Sequence, residues 1–214
     1  MTNRKPLHLR QLLTVSYGLA IALWLAAWVW GGFVLLYYNL QGAMPHITVP
    51  AQEMSVSSMV SYAENGWTPP RAGDNWYLST DDDPHLYWQG QGYLDNVCLQ
   101  AEYFLPPGAV ALYYLTPGQT DYTESQKIYG KMTDDGVRFD VGGRYVTGLR
   151  VDTDSRGGVP TRLDGLCLNP DTAYLRRILP NAGQWVLLLT VPAAAAALAG
   201  LAAKALGHPS EENA

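Results

Sequence analysis

Charge is missing from two long stretches of this 214-residue chain. No Asp, Glu, Lys or Arg occurs from Gln11 to Leu40, and none from Ile178 to Ala203. Each stretch exceeds the roughly 20 residues that a helix needs to cross a bilayer. Other absences narrow the chemistry. Two cysteines are too few for a four-thiolate zinc site. The four histidines, His8, His46, His85 and His208, form no His-x-x-x-His pair, which speaks against metalloprotease chemistry. Neither a G-x-S-x-G nucleophile elbow nor a phosphate-binding P-loop is found. Neither apolar run carries an ionisable side chain, so a channel or transporter built from this chain alone is disfavoured.

The mean hydropathy of −0.08 averages two apolar ends with a polar middle. Residues 41–177 hold 17 acidic and 10 basic side chains, a net charge of −7. A surface of that sign repels phosphate backbones and excludes nucleic acid as a partner. The expected organisation is a cytoplasmic N-terminus (1–11), a first transmembrane helix (12–38), a stalk (39–73), a β-sandwich domain (74–177), a second membrane segment (178–203) and a cytoplasmic tail (204–214). Arg4, Lys5 and Arg10 precede the first helix, and no Lys or Arg follows until Arg71, which places the N-terminus inside. Both termini are then cytoplasmic and the central domain extracytoplasmic. Arg176 and Arg177 beside the second segment pull weakly the other way and suit headgroup contact or a lipid-linked phosphate. The first run is too long for a signal-peptide core, and Gln41-Gly42-Ala43 is a poor cleavage site, so an uncleaved anchor is expected. Gly18, Ala22 and Ala26 form a small-residue stripe, matched by Ala196 and Gly200, which predicts close packing of the two helices. Tyr17, Trp24 and Trp28 would then offer a bulky side to a membrane protein partner, and Pro192 would loosen the second helix.

The stalk is punctuated by Pro45, Pro50, Pro69, Pro70, Gly66 and Gly73, with a short helix expected over Ala51–Glu64. From Asp74 onward short strands alternate with turns. Strands are expected at 75–79, 85–89, 95–104, 109–115, 126–132, 137–141, 148–152 and 161–168. Val97, Leu99, Ala101 and Tyr103 share one face, and Gly142-Gly143 reads as a turn. The fold class is therefore mainly β, a sandwich or jelly roll flanked by two transmembrane helices.

A series of landmarks carries a resemblance: Ser79-Thr80-Asp81-Asp82-Asp83-Pro84-His85-Leu86, the strands around Cys98 to Tyr114, Tyr122-Thr123-Glu124-Ser125, Leu149-Arg150-Val151-Asp152 and Leu163 to Leu168. In this order they resemble the carbohydrate-binding-like (galactose-binding-like) jelly rolls of bacterial membrane glycosyltransferases and cell-surface polysaccharide proteins. The likeness covers about residues 75–169, and no glycosyltransferase domain accompanies it. It implies a bacterial plasma-membrane protein, a jelly-roll fold and a cell-surface glycan as ligand.

Sugar recognition needs aromatic faces beside polar groups. Trp76, Tyr87, Trp88, Tyr93, Asp95, Tyr122 and Glu124 are the candidate glycan contacts, with Trp88 and Tyr122 preferred as bordering loops; core packing is the competing role of each aromatic. Asp81, Asp82, Asp83, Asp152 and Asp154 offer hard oxygen ligands for calcium, or are solvated turn residues. No other cofactor is indicated. Cys98 and Cys167 have the parity to face one side of a sheet if their strands pair, which permits a disulfide in an oxidising compartment; two separate reduced thiols are the alternative. Glu124, Asp95 and Glu102 carry no motif that makes them a hydrolytic pair. The sequence thus points to a non-enzymatic, membrane-anchored accessory protein that contacts lipid and glycan. The alternative is an assembly factor that binds a membrane protein without recognising sugar.

Overall fold

The computed structural model describes residues 9–170 and 178–206. The chain divides into two compact units: one made of residues 1–34 and 173–214, the other of Leu35–Thr172.

The first unit contains two helices, α1 (Leu9–Leu40, whose last residues belong to the second unit) and α2 (Ala182–Leu206). Both are long and apolar enough to cross a bilayer. Asn181 and Gln184 start α2 with a reciprocal cap, each side-chain oxygen accepting the other's backbone N–H at 2.9 and 2.8 Å. The helices do pack, but through a different face of α1 from the expected one. Gly18, Ala22 and Ala26 are exposed, whereas Tyr17, Trp24 and Trp28 are half-buried. The Tyr17 hydroxyl donates to the Leu189 carbonyl at 2.7 Å, and the Trp24 indole donates to the Ile178 carbonyl at 3.1 Å. These two hydrogen bonds turn the Tyr17 and Trp24 side of α1 toward α2 and the residues just before it. Pro192 lacks an N–H, so within α2 the Leu188 carbonyl, four residues before it, loses its helical donor one residue from the Leu189 carbonyl that Tyr17 reaches. The small residues of α2 do lie at the contact. Ala196 is fully buried, and Gly200 lies close to the Leu12 side chain. Arg176 and Arg177 fall outside the described residues.

The second unit is built from two antiparallel sheets. Its strands are β1 (Ile47–Pro50), β2 (Ser55–Ser57), β3 (Met59–Ser61), β4 (Trp76–Ser79), β5 (His85–Trp88), β6 (Gly92–Tyr103), β7 (Ala111–Leu115), β8 (Lys127–Tyr129), β9 (Lys131–Thr133), β10 (Gly136–Val146), β11 (Gly148–Asp152) and β12 (Pro160–Leu168). One sheet has the order β3-β4-β12-β6-β10-β9, with β1 pairing the stretch of β12 beyond β4. The other has the order β2-β5-β11-β7-β8. Alternation sends Val97, Leu99, Phe139, Leu163 and Leu166 of the first sheet against Leu86, Leu112, Leu149 and Val151 of the second, all essentially without solvent contact.

The segment expected as a stalk belongs to this domain. β1, β2 and β3 come from it, and Val49, Ala51 and Met54 enter the core. The expected helix shrinks to one 3-10 turn at Ala51–Glu53. Pro50 is tolerated because it ends a short strand beside β12. At both open sides of the sandwich the chain steps from one sheet to the other through a single residue. Ser58 (φ 58°) joins β2 to β3, and Gly130 joins β8 to β9. A Cβ on Gly130 would lie 2.2 Å from a Val137 methyl, so only glycine allows the second step. Gly142-Gly143 is a bulge inside β10 and not a turn. With φ of 83° and 73°, the pair absorbs a register shift between Asp140 and Arg144, and β10 continues to Val146.

Asn169 ties the end of β12 to the start of the domain. Its φ is 51°, a conformation that asparagine tolerates better than most residues. Its Oδ1 accepts the N–H groups of Asp95 (2.7 Å) and Asn96 (3.4 Å), and its Nδ2 donates to the carbonyls of Pro45 (2.8 Å) and Tyr93 (3.0 Å). Replacing Asn169 by Ala would strip partners from several buried backbone groups. Each such loss costs about 1–3 kcal/mol, so Asn169→Ala is expected to destabilise the domain by about 3 kcal/mol in denaturant titrations followed by tryptophan fluorescence. A loss below about 1 kcal/mol would contradict this role.

Candidate functional site

The outward side of the five-stranded sheet gathers the richest chemistry. Period two along β5, β11, β7 and β8 buries Leu86, Val151, Leu112 and Ile128 and turns their neighbours outward. Register then aligns one residue from every strand: Ser55, Tyr87, Arg150, Tyr113 and Lys127. The adjacent row contains His85 and Asp152.

Arg150 organises the centre. Its guanidinium lies 4.9 Å from the Tyr113 ring centroid. It donates to both oxygens of Asp152 at 2.7 and 3.0 Å and to Asp83 at 3.2 Å. His85 bridges the same two carboxylates, with Nδ1 3.0 Å from Asp152 and Nε2 3.2 Å from Asp83. The His85 and Tyr87 rings meet edge to face at 5.7 Å, and Tyr87 lies 6.1 Å from Tyr122. On the other flank, Lys127 sits over Tyr113 and Tyr129, at 5.2 and 5.3 Å from their centroids. The Tyr113 hydroxyl donates to Glu124 at 2.8 Å, and Lys127 pairs with Glu124 at 3.3 Å. Burial raises the Tyr113 and Tyr122 hydroxyls above the ordinary tyrosine value. The Tyr113 hydroxyl, followed by Lys127, holds Glu124 below the usual glutamate range. The result is a set of ring faces fixed between fixed charges.

Of the expected glycan contacts, Tyr87, Tyr122 and Glu124 come together here. The other four do not. Trp76 is 2% exposed in the seven-stranded sheet, in register with Arg162. Trp88 faces the sandwich interior, because its parity in β5 is that of Leu86. Tyr93 stacks on Tyr38 at 4.2 Å, and Asp95 is 1% exposed beside Asn169. The five-aspartate calcium set is not assembled. Asp83 and Asp152 converge, but the Arg150 guanidinium already stands between them as a counter-charge, and the His85 ring nitrogens lie 3.0 and 3.2 Å from the same carboxylates. Asp81 accepts the N–H of Asp83 within its own turn, Asp82 is exposed, and Asp154 accepts the N–H groups of Arg156 and Gly157. Among the described residues, the one group of three potential ligands within 4.8 Å is Asp83, His85 and Asp152. Glu124, Asp95 and Glu102 lie on the five-stranded face, in the interior and on the seven-stranded face, so they form no catalytic pair. Cys98 and Cys167 do stand opposite each other on β6 and β12, as their parity required, but no disulfide joins them.

Tyr113 belongs to the aromatic group Tyr113, Tyr114 and Tyr122 that the sequence offers for sugar contact, whereas His85, Arg150 and Lys127 are not among the expected contacts. Alternation marks Arg150, which lies between the core residues Leu149 and Val151, but His85 and Lys127 open their strands and carry no such signal. Compared with protein-family models and with curated proteins, the chain matches none.

Tyr113→Phe removes the first contact that depresses Glu124. The Glu124 titration, followed by NMR, is expected to rise toward the ordinary value of about 4.3. In the native chain the depressed value means that this contact favours the fold above about pH 4.3 and is lost as pH falls through the lower folded value. An unchanged Glu124 titration in Tyr113→Phe would show that the hydroxyl is not its partner in solution.

Proposed function

We propose that this protein is a membrane-anchored, non-enzymatic accessory protein that binds a cell-surface glycan on the outward side of its five-stranded sheet. The carrying observation is the register row of Ser55, Tyr87, Arg150, Tyr113 and Lys127, crossing all five strands. Sugars present C–H faces and hydroxyls; in this row Tyr87 offers a half-buried ring and Ser55, Arg150 and Lys127 offer polar donors, while Tyr113, 5% exposed, lies beneath Arg150 and Lys127 and supports them. Tyr113 is already held by Arg150, Lys127 and Glu124, and Tyr87 by the His85 and Tyr122 rings, so little ordering entropy opposes a ligand. The landmark order shared with carbohydrate-binding-like jelly rolls favours the same ligand class. On this reading α1 and α2 cross the bacterial plasma membrane, both termini are cytoplasmic and the β domain lies outside, consistent with Arg4, Lys5 and Arg10 before α1.

A second reading draws on a different observation. The Gly18, Ala22 and Ala26 stripe of α1 is exposed, with open space around Gly18, and such stripes admit a close helix neighbour in lipid. The chain would then be an assembly factor for another membrane protein.

Protease added to intact cells is expected to degrade the β domain while sparing the termini; protection of the domain would reverse the topology. The full chain in lipid nanodiscs is expected to bind immobilised bacterial surface polysaccharides. The double substitution Tyr87→Ala and Tyr122→Ala should weaken binding at least about tenfold, a loss of roughly 1.4 kcal/mol. Absence of binding by the native chain, with a membrane protein co-purifying, would favour the assembly role.

A further inference from the structure

The opposite side of the sandwich carries a second feature, independent of any glycan. A cleft of about 660 Å³ opens on the outward side of the seven-stranded sheet, and Cys98 and Cys167 line it. The two residues are direct register partners on antiparallel strands. Such partners hold their Cβ atoms about 4.5–5.5 Å apart, and a disulfide requires about 3.5–4.5 Å. Side-chain rotation and a small approach of the strands therefore suffice to join the sulfurs, with no change in strand pairing.

The two thiols are not equivalent. Cys167 is 9% exposed, and its Sγ lies 3.2 Å from the Thr48 hydroxyl. Cys98 is more open, and Arg138 stands opposite it on β10. The cleft also holds Arg162, paired with Glu102 and Asp164. Charges of both signs around an accessible thiol suit a small zwitterionic molecule.

We propose that Cys98 and Cys167 form a reversible dithiol–disulfide site that exchanges with low-molecular-weight disulfides of the glutathione type. The Cys98 thiolate attacks one sulfur of the external disulfide. A bond forms between Cys98 Sγ and that sulfur, the external S–S bond breaks, and the first thiolate leaves. The Cys167 thiolate then attacks Cys98 Sγ, which forms the internal disulfide and releases the second thiolate. Two electrons pass from the cysteine pair to the external disulfide, which ends as two thiols after taking up the two protons that the cysteines release. Reduced thiol in excess runs the same steps backwards. Cys98 is the point of entry and Cys167 the resolving thiol, an order set by their exposure.

The test uses the reduced full chain in detergent micelles, treated with glutathione disulfide, quenched in acid, alkylated and weighed by mass spectrometry. The native chain is expected to lose both alkylatable thiols together with the mass of two hydrogen atoms, and to recover them in excess reduced glutathione. Cys167→Ser is expected to stop at the mixed disulfide, with one glutathione added. Cys98→Ser should react at least about tenfold more slowly than Cys167→Ser, because access governs exchange. Circular dichroism confirms that the variants are folded, and the native chain alone decides if they are not. Two native thiols that stay alkylatable in fully oxidising buffer would overturn the proposal. So would a stable glutathione adduct on Cys98 beside an unreacted Cys167, or equal rates for the two variants.

Discussion

The β domain depends on one amide. Asn169 sits where the chain leaves β12, and it satisfies backbone groups near Pro45, where the chain enters, and at Tyr93 to Asn96, where the longest strand begins. Its own N–H donates to the Asn96 carbonyl at 2.9 Å, and its carbonyl meets His46 Nδ1 at 3.0 Å. No hydrophobic residue could replace it, because the surrounding groups are main-chain donors and acceptors buried away from water. The amide offers two donors and an acceptor with two lone pairs, which is the number this junction consumes. The hydrophobic core supplies the driving force for folding, while Asn169 fixes the strand start against which the sheets register.

The face around Arg150 follows a different logic. Isolated surface ion pairs contribute at most about 1 kcal/mol, so stability is not the reason to assemble five charged groups there. Their effect is geometric. Arg150 is held at once by Asp83, Asp152 and the Tyr113 ring, and Glu124 and Lys127 hold Tyr113 from its other end. Long side chains that would otherwise sample many rotamers become a fixed pattern. A ligand meeting that pattern does not have to order it first.

Much of this arrangement was legible in the sequence. Uncharged runs marked both long helices, and alternation with Gly, Pro and Asp turns marked the strands from Trp76 to Leu168. The parity of Cys98 and Cys167 foretold their shared face, which the pairing of β6 with β12 realises. What stayed hidden depended on contacts distant in sequence. Met54 and Val56 fall in the stretch that reads as a short helix, until a sheet edge gives Val56 a strand to pair with and Met54 a core to pack into. Gly142-Gly143 looks like a turn because its backbone preferences suit either a turn or a bulge, and only the partner strand decides. Trp88 reads as an exposed contact because it borders a loop, yet a one-residue difference in parity sends Trp88 inward and Tyr87 outward. On α1 the small residues promised close packing, but the hydrogen-bonding needs of Tyr17 and Trp24 chose the opposite side.

The single-residue steps at Ser58 and Gly130 also decide how this domain can meet other chains. They leave β2, β3, β8 and β9 only three residues long, and each is continuous with a strand of the opposite sheet. A sandwich normally ends in two ragged margins where a foreign strand could zip on and seed aggregation. Here both margins are hemmed by the chain itself. Recognition is thereby directed to the two broad sheet surfaces and the loops, and Lys127 and Lys131, which open β8 and β9, add charge along one border against strand addition.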